Sequence, residues 1–311
     1  MELIPSDTHI DFLGRRKIGF AISGTLIALS LALLLFHGLN WGIDFRGGTL
    51  VQVSFAEATT TRAVQDGVDA VGLGNAQVQS FENSDSEFLL RFDVDAEKPD
   101  DAGEFSEQAI DRALAEQFPG ITIDRVEMVG PKVGGELKRK GLLSVLWALG
   151  GVLLYIWVRF QLHYGVGAIL ALIHDVIITL GVFSLAGIQV ELPIVAAVLT
   201  IVGYSLNDTI VVFDRIRENV ARKRKAALGP IMNESINETL SRTILTSGTT
   251  LIVVVVLALF GGGVIQPFAF ALLIGIVVGT YSSIFVASPV VLLWHQRFGD
   301  GAAAAPAPAV S

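Results

Sequence analysis

From Thr243 to Gln296 the chain carries no Asp, Glu, Lys or Arg across 54 consecutive residues. A helix needs roughly 20 apolar residues to cross a bilayer, so this stretch alone is long enough for two crossings. Gly261–Gly262–Gly263 and Pro267 interrupt it and divide it in two. The same reading along the whole chain predicts six spans, over 18–38, 141–159, 164–187, 192–213, 242–260 and 267–295. Only 17% of the residues are charged, against about 25% in a soluble domain. A purely soluble enzyme, a disordered chain and a disulfide-stapled domain are therefore excluded. With no cysteine, thiolate metal sites and thiol nucleophiles are excluded too.

Arg15, Arg16 and Lys17 precede the first apolar run, as in a signal peptide. The run Phe20–Phe36 exceeds the usual h-region of about 7–15 residues, and no small-residue cleavage site follows at His37–Gly38–Leu39. An uncleaved first span is expected. Arg15–Lys17, Arg159, the run Arg215–Lys225 and Arg297 all fall on one side if six spans alternate. Short-loop basic residues mark the cytoplasmic side, which puts both termini inside. Lys138–Arg139–Lys140 lies outside, at the end of a long segment where the charge rule loses force. An N-terminal arm (1–17), an inner loop (214–241) and a disordered Ala/Pro tail (298–311) complete the expected plan.

The outer segment 39–138 has its own character. Asp44–Glu136 holds nineteen acidic and seven basic residues, which argues against nucleic acid or anionic lipid as a partner. Its pattern reads strand (Thr49–Phe55), helix (Thr60–Val71), strands (Asn75–Phe81, Glu87–Val94) around a turn at Asn83–Ser84–Asp85, helix (Asp101–Phe118), strand (Ile121–Val129). That order fits a split-βαβ, α+β ferredoxin-like unit. The expected fold class is thus an α-helical membrane protein of six spans, with this domain between spans one and two.

Charge inside a span costs about 2.5–3.5 kcal/mol on insertion scales, so each such residue needs a reason. Asp175, beside His174, lies about 11 residues into the third span, roughly 16 Å deep at 1.5 Å per residue. Asp208 lies in the fourth, within Ser205–Leu206–Asn207–Asp208–Thr209. Arg242 opens the fifth and heads a polar stripe with Thr246, Thr249 and Thr250 at helical spacing. Asp208 and Arg242 read either as a static pair that locks packing or as a proton-relay pair. In the second reading, low dielectric favours the neutral acid and a permanent guanidinium favours the anion. Asp175, Asn207 and Thr246 are the supporting candidates, with Asp175 equally open to a structural pairing with His174. Ser282, Ser283, Gly275 and Gly279 read first as close helix packing.

Four stretches together resemble the SecD/SecF family of bacterial protein translocase subunits, within the resistance–nodulation–division superfamily. They are Trp41–Gly48 (WGIDFRGG), Val129–Gly134 (VGPKVG), Gly203–Asn219 (GYSLNDTIVVFDRIREN) and Asn233–Thr243 (NESINETLSRT). The resemblance covers about residues 10–298. It implies a subunit that, with SecD, uses the proton motive force to draw polypeptide out of the SecYEG channel. The family's membrane aspartate falls on Asp208 and its span-five arginine on Arg242. The fused form of the family has a second six-helix half that this chain lacks, which implies SecD as a separate chain. YajC and an insertase are further implied partners, the translocating polypeptide is the cargo, the inner membrane is the location, and no cofactor is implied. Asp44, Phe45, Gly47 and Gly48 belong to the outer motif, where they are expected to fix a turn at the membrane surface.

Two other classes compete with a proton-driven motor. One is an assembly factor that stabilises the channel without transport. The other is an intramembrane aspartyl protease with Asp175 and Asp208 as its dyad, which requires the carboxyls about 3 Å apart. No phosphate-binding glycine motif is present, so any ATP use belongs to a partner. Sodium could stand in for the proton, since carboxylate and hydroxyl oxygens are hard ligands.

Overall fold

The computed structural model describes residues 9–70, 76–80, 85–92, 112, 114–223, 225–263 and 265–298. Six helices among them are long and apolar enough to cross a membrane: Arg16–Phe36, Lys132–Arg159, Leu162–Ala186, Leu192–Arg222, Leu228–Phe260 and Ile265–Phe298. They are called the first to sixth spans in chain order, and the expected fold class is the one found. The second span's helix starts at Pro131, because proline suits a first helical turn whose amide needs no partner. The sixth contains a π-helical turn, Ser283–Ala287, between its α-helical parts.

The fourth and fifth helices continue well beyond the apolar runs, to Arg222 and back from Leu228. Most of the expected inner loop 214–241 is therefore helix. Hydropathy marks the bilayer's thickness, whereas backbone hydrogen bonding continues into water. Here, salt bridges cross between the two helices, from Arg215 Nε to Glu238 at 2.6 Å and from Lys223 Nζ to Glu234 at 2.5 Å. The N-terminal arm docks on this hairpin. Asn233 Oδ1 accepts the Phe12 amide at 2.9 Å, and Asn237 Oδ1 accepts that of Ile10 at 2.9 Å.

Spans three, four and six form the interior of the bundle. The fourth and fifth both pack on the sixth, and the first packs on the third. Small residues allow the approach: a Cβ on Gly279 would lie 2.9 Å from that of Ser205. The second and fifth spans are peripheral, leaving Trp147, Trp157, Ile252 and Phe260 exposed.

The outer domain is a four-stranded sheet in the order β3–β4–β2–β5, with β2 Gly48–Phe55, β3 Ala76–Ser80, β4 Glu87–Phe92 and β5 Ile121–Val129. Every neighbouring pair is antiparallel, which is the ferredoxin-like arrangement. Alternation in β2 sends Val51 and Val53 inward, fully buried against Val64 and Val68 of the helix Thr61–Ala70 and against Phe88, Leu90 and Phe92. Each such side chain contributes about 1.5–3 kcal/mol. The expected helix Asp101–Phe118 lies largely outside the described residues, though 114–117 are helical. The expected turn at Asn83–Ser84 and the tail beyond 298 lie outside them as well.

A second, smaller sheet ties the domain's root to the bundle. Asn40–Trp41 (β1) pairs in parallel with Gln189–Val190 (β6), just before the fourth span.

Candidate functional site: two carboxylates inside the bundle

Asp208 faces the bundle interior and is 5% exposed. Thr243 Oγ1, from the fifth span, donates to its Oδ1 at 2.8 Å, and Ser283 Oγ, at the start of the π turn, donates to its Oδ2 at 3.0 Å. Three spans therefore meet at this one carboxyl. Arg242, next to Thr243, turns outward and is exposed. Successive helical residues point about 100° apart, and here Thr243 turns inward while Arg242 turns out. Among the described residues no hydrogen bond or ion pair joins Asp208 to Arg242, and the direct contact expected of the pair is absent. Asn207 and Thr246 are exposed too, and Thr246 Oγ1 donates back to its own helix at Arg242 O, 2.9 Å away.

Asp175 is fully buried. Its Oδ1 lies 2.9 Å from His174 Nδ1, while its Oδ2 accepts from Ser205 Oγ at 2.5 Å and from Ser282 Oγ at 2.8 Å. On the other ring nitrogen, His174 Nε2 lies 3.1 Å from Ser23 Oγ of the first span. Ser23 donates in turn to the Tyr281 hydroxyl at 3.2 Å. Asp175 thus pairs with His174 and is wired through these hydroxyls to the first, fourth and sixth spans. The two aspartates do not share a proton directly, since each carboxyl bonds a separate set of hydroxyls. A protease-type dyad is therefore not assembled.

Thr243, Ser283, Ser205, Ser282 and Ser23 were not singled out by charge or motif as functional. A signal for some of them exists. Ser205 sits three residues before Asp208 on one helix face, and Ser282–Ser283 are consecutive hydroxyls inside an apolar run.

At the outer surface the motif Trp41–Gly48 forms a one-turn helix, Ile43–Arg46, rather than a simple turn. Gly47 (φ 84°) and Gly48 (φ 143°) lead out of it into β2. A Cβ on Gly48 would meet Phe92 O at 2.6 Å, so glycine is required there on both counts. Phe45 packs into the bundle against Phe183 and Ile194. Asp44 Oδ2 accepts the amide of Leu192 at 2.9 Å. It thereby caps, from another segment, the helix that carries Asp208. Arg91 Nη2 of β4 donates to Trp41 O at 2.9 Å and adds a second tie. Glu191, also at this joint, has its carboxyl pushed above the ordinary range by burial and by the neighbouring Asp44 and Glu127 charges, with Arg91 opposing.

The comparisons with known proteins agree with this layout. A family model described as protein export membrane protein SecD/SecF, C-terminal, matches residues 109–297, and one for the SecD/SecF GG motif matches 32–59. The chain is 50% identical over 293 residues to the protein translocase subunit SecF of Desulfurispirillum indicum, covering 93% of each chain. It is 47% identical to that of Vibrio alginolyticus, covering 94% of this chain and 91% of the relative. The crystal structure of SecDF, a translocon-associated membrane protein from Thermus thermophilus, matches with a TM-score of 0.84 at 37% identity. That match covers 95% of this chain, which spans only 40% of the SecDF chain. A multi-pass bundle, a ferredoxin-like outer domain rooted on a glycine-pair motif, and relatives of near-equal length together establish that the chain belongs to the SecD/SecF family of protein export membrane proteins.

Proposed function

We propose that the chain acts as a SecF-type subunit, which with SecD uses the proton motive force to complete polypeptide translocation through SecYEG. It is a mechanical subunit of the inner membrane, not an enzyme, with both termini cytoplasmic as its short-loop basic residues suggest. The observation that carries the reading is Asp208: a carboxyl enclosed at bilayer depth whose partners are hydroxyls from two other spans. A hydroxyl can donate to a carboxylate or accept from a carboxylic acid, so both protonation states have partners. Gain of a proton weakens the hold of Asp208 on the fifth and sixth spans, and its loss restores that hold. Each charge moved through 100 mV supplies about 2.3 kcal/mol, comparable to such a rearrangement.

SecD is the partner that the outward polar face calls for. Arg242, Thr246 and Thr249 are exposed at the inner half of a span, where facing lipid would be costly. A neighbouring subunit carrying a carboxylate or other acceptors answers that cost, and the longer SecDF chain has room for one. In this arrangement Arg242 acts across the subunit boundary and reaches Asp208 only through space. YajC and an insertase join as peripheral partners, and the outer domain acts on the emerging polypeptide.

The test is export into membrane vesicles carrying the full complex at a fixed proton motive force. Asp208→Asn, which keeps the shape and removes the ionisation, is expected to abolish the proton-dependent part of export while leaving co-purification with SecD intact. Undiminished export overturns the relay. Lost export together with lost co-purification favours the assembly-factor reading.

A further inference from the structure

His174 and Asp175 form a second enclosed pair of ionisable groups within the bundle, 1% and 0% exposed. A buried pair of this kind adds little net stability, because desolvation offsets the attraction and an apolar pair of equal volume usually serves a core as well. Packing alone therefore does not account for it.

Its partners are suited to a group that changes charge. Apart from each other, among the described residues His174 and Asp175 bond only to hydroxyls through their side chains: Ser23, Ser205 and Ser282. Ser282 Oγ has two acceptors within reach of one hydrogen, Asp175 Oδ2 at 2.8 Å and Gly279 O at 3.1 Å. The next residue repeats the choice, since Ser283 Oγ lies 3.0 Å from Asp208 Oδ2 and 2.9 Å from Thr280 O. When the carboxyl is ionised, it draws the serine hydrogen. When it is protonated, its own O–H donates to the serine oxygen, and the serine hydrogen returns to the helix carbonyl.

Each serine thus responds to one carboxyl, and the two are neighbours at the entry to the π turn Ser283–Ala287. Departures from α geometry of this kind gather at functional sites. Ser288 Oγ donates to Ser283 O at 2.9 Å and holds that turn. Ser205, the second donor to Asp175, lies on the fourth span three residues before Asp208, so the two carboxyls are also joined through that helix.

We propose that His174 and Asp175 form a second proton-binding centre, coupled to Asp208 through Ser282 and Ser283. This rests on the reading of Asp208 as a proton-binding group. The pair takes up one proton, held on Asp175 Oδ2 where Ser282 can accept it while His174 holds Oδ1, and releases that same proton; no other covalent bond forms or breaks. Among the described residues, the ionisable groups around it are Tyr281 on the sixth span and Asp208, next along the network, on the fourth, and the first span contributes Ser23. Two carboxyls linked in this way titrate as a coupled set.

The experiment is infrared difference spectroscopy on the full chain with its SecD partner in lipid nanodiscs, titrated with pH. Among the carboxyl bands of the complex, wild type is expected to show two that belong to these enclosed acids, identified by their loss in Asp175→Asn and Asp208→Asn respectively. Asp175→Asn removes one and moves the midpoint of the other. Ser282→Ala, which keeps both carboxyls and alters only a hydroxyl, retains both signals; adding Asp175→Asn to it then moves the Asp208 midpoint less than Asp175→Asn does in the wild-type background. An Asp175→Asn protein with the wild-type signals overturns the inference, as does one that loses a signal while Asp208 titrates unchanged. His174→Gln provides the same readout should Asp175→Asn fold poorly, with an unmoved Asp208 midpoint again overturning the coupling. Asp208→Asn, run in parallel, isolates the underlying reading: if it removes no signal, Asp208 does not bind protons, and both the proposed function and the coupling fall. If it removes one while Asp175→Asn is silent, only the second centre falls.

Discussion

The fourth and fifth spans are adjacent helices of nearly equal length, one carrying Asp208 and the other Arg242, yet the first of these side chains lies inside the bundle and the second outside it. Half of the fourth span's most apolar window is buried, and Asp208 lies inside; only 17% of the fifth span's window is buried, and Arg242 and its threonines lie outside. Thr243 alone reaches inward from that end of the fifth span to the carboxyl. Hydropathy measures how far a helix extends through lipid. It does not tell which side meets protein, and in this pair the more apolar helix is the peripheral one.

The largest effect expected from this contrast is on assembly and export together. Arg242→Leu should abolish export and weaken co-purification with SecD, while the isolated chain in detergent melts within about 0.5 kcal/mol of wild type, as for an exposed position. A large loss of intrinsic stability would place the guanidinium inside and erase the contrast. Next in size, Thr243→Val strips Asp208 of a donor and should cost about 1–3 kcal/mol by thermal unfolding, against near neutrality for Thr246→Val one turn on. Equal costs would mean that the inward and outward threonines are equivalent.

Smaller again is the difference at the helix starts. The fourth span is capped from outside by Asp44, whereas Ala227 gives the fifth no side-chain cap. Asp44→Ala should cost about 1 kcal/mol, and no measurable loss would show the two starts to be alike. The smallest effect is a pH slope. With its carboxyl raised by burial and by Asp44, Glu191 favours the folded state when protonated. That stability is complete below its ordinary value of 4.5 and is lost as pH rises through the folded value. Glu191→Gln, neutral throughout, should flatten this part of the unfolding profile above that range; an unchanged profile removes the contribution.

Six crossings and the four strands of the outer sheet were legible because both depend on repeating patterns: runs of uncharged residues, and alternation such as that of Val51 and Val53. The helical hairpin inside 214–241 was not, because charged residues interrupt the apolar signal while i, i+4 and interhelical ion pairs keep the helix intact. The acid of the site was legible from the cost of placing Asp208 in oil. The direction of Arg242 was not, since the polar stripe that it heads with Thr246, Thr249 and Thr250 marks a face of the helix without saying whether that face turns to the bundle or away from it. Ser282 and Ser283 share their composition with ordinary packing residues, and only coordinates separate a hydroxyl that fills space from one that meets a carboxylate.

The joint at the outer surface is assembled from pieces far apart in the chain: Asp44 and the Leu192 amide are 148 positions apart. Cutting out the outer domain at its apparent sequence limits would leave half of its socket behind. A chimera that exchanges this domain between relatives must carry Asn40–Gly48 and Gln189–Leu192 as one transplanted unit, or the new domain arrives without its mounting.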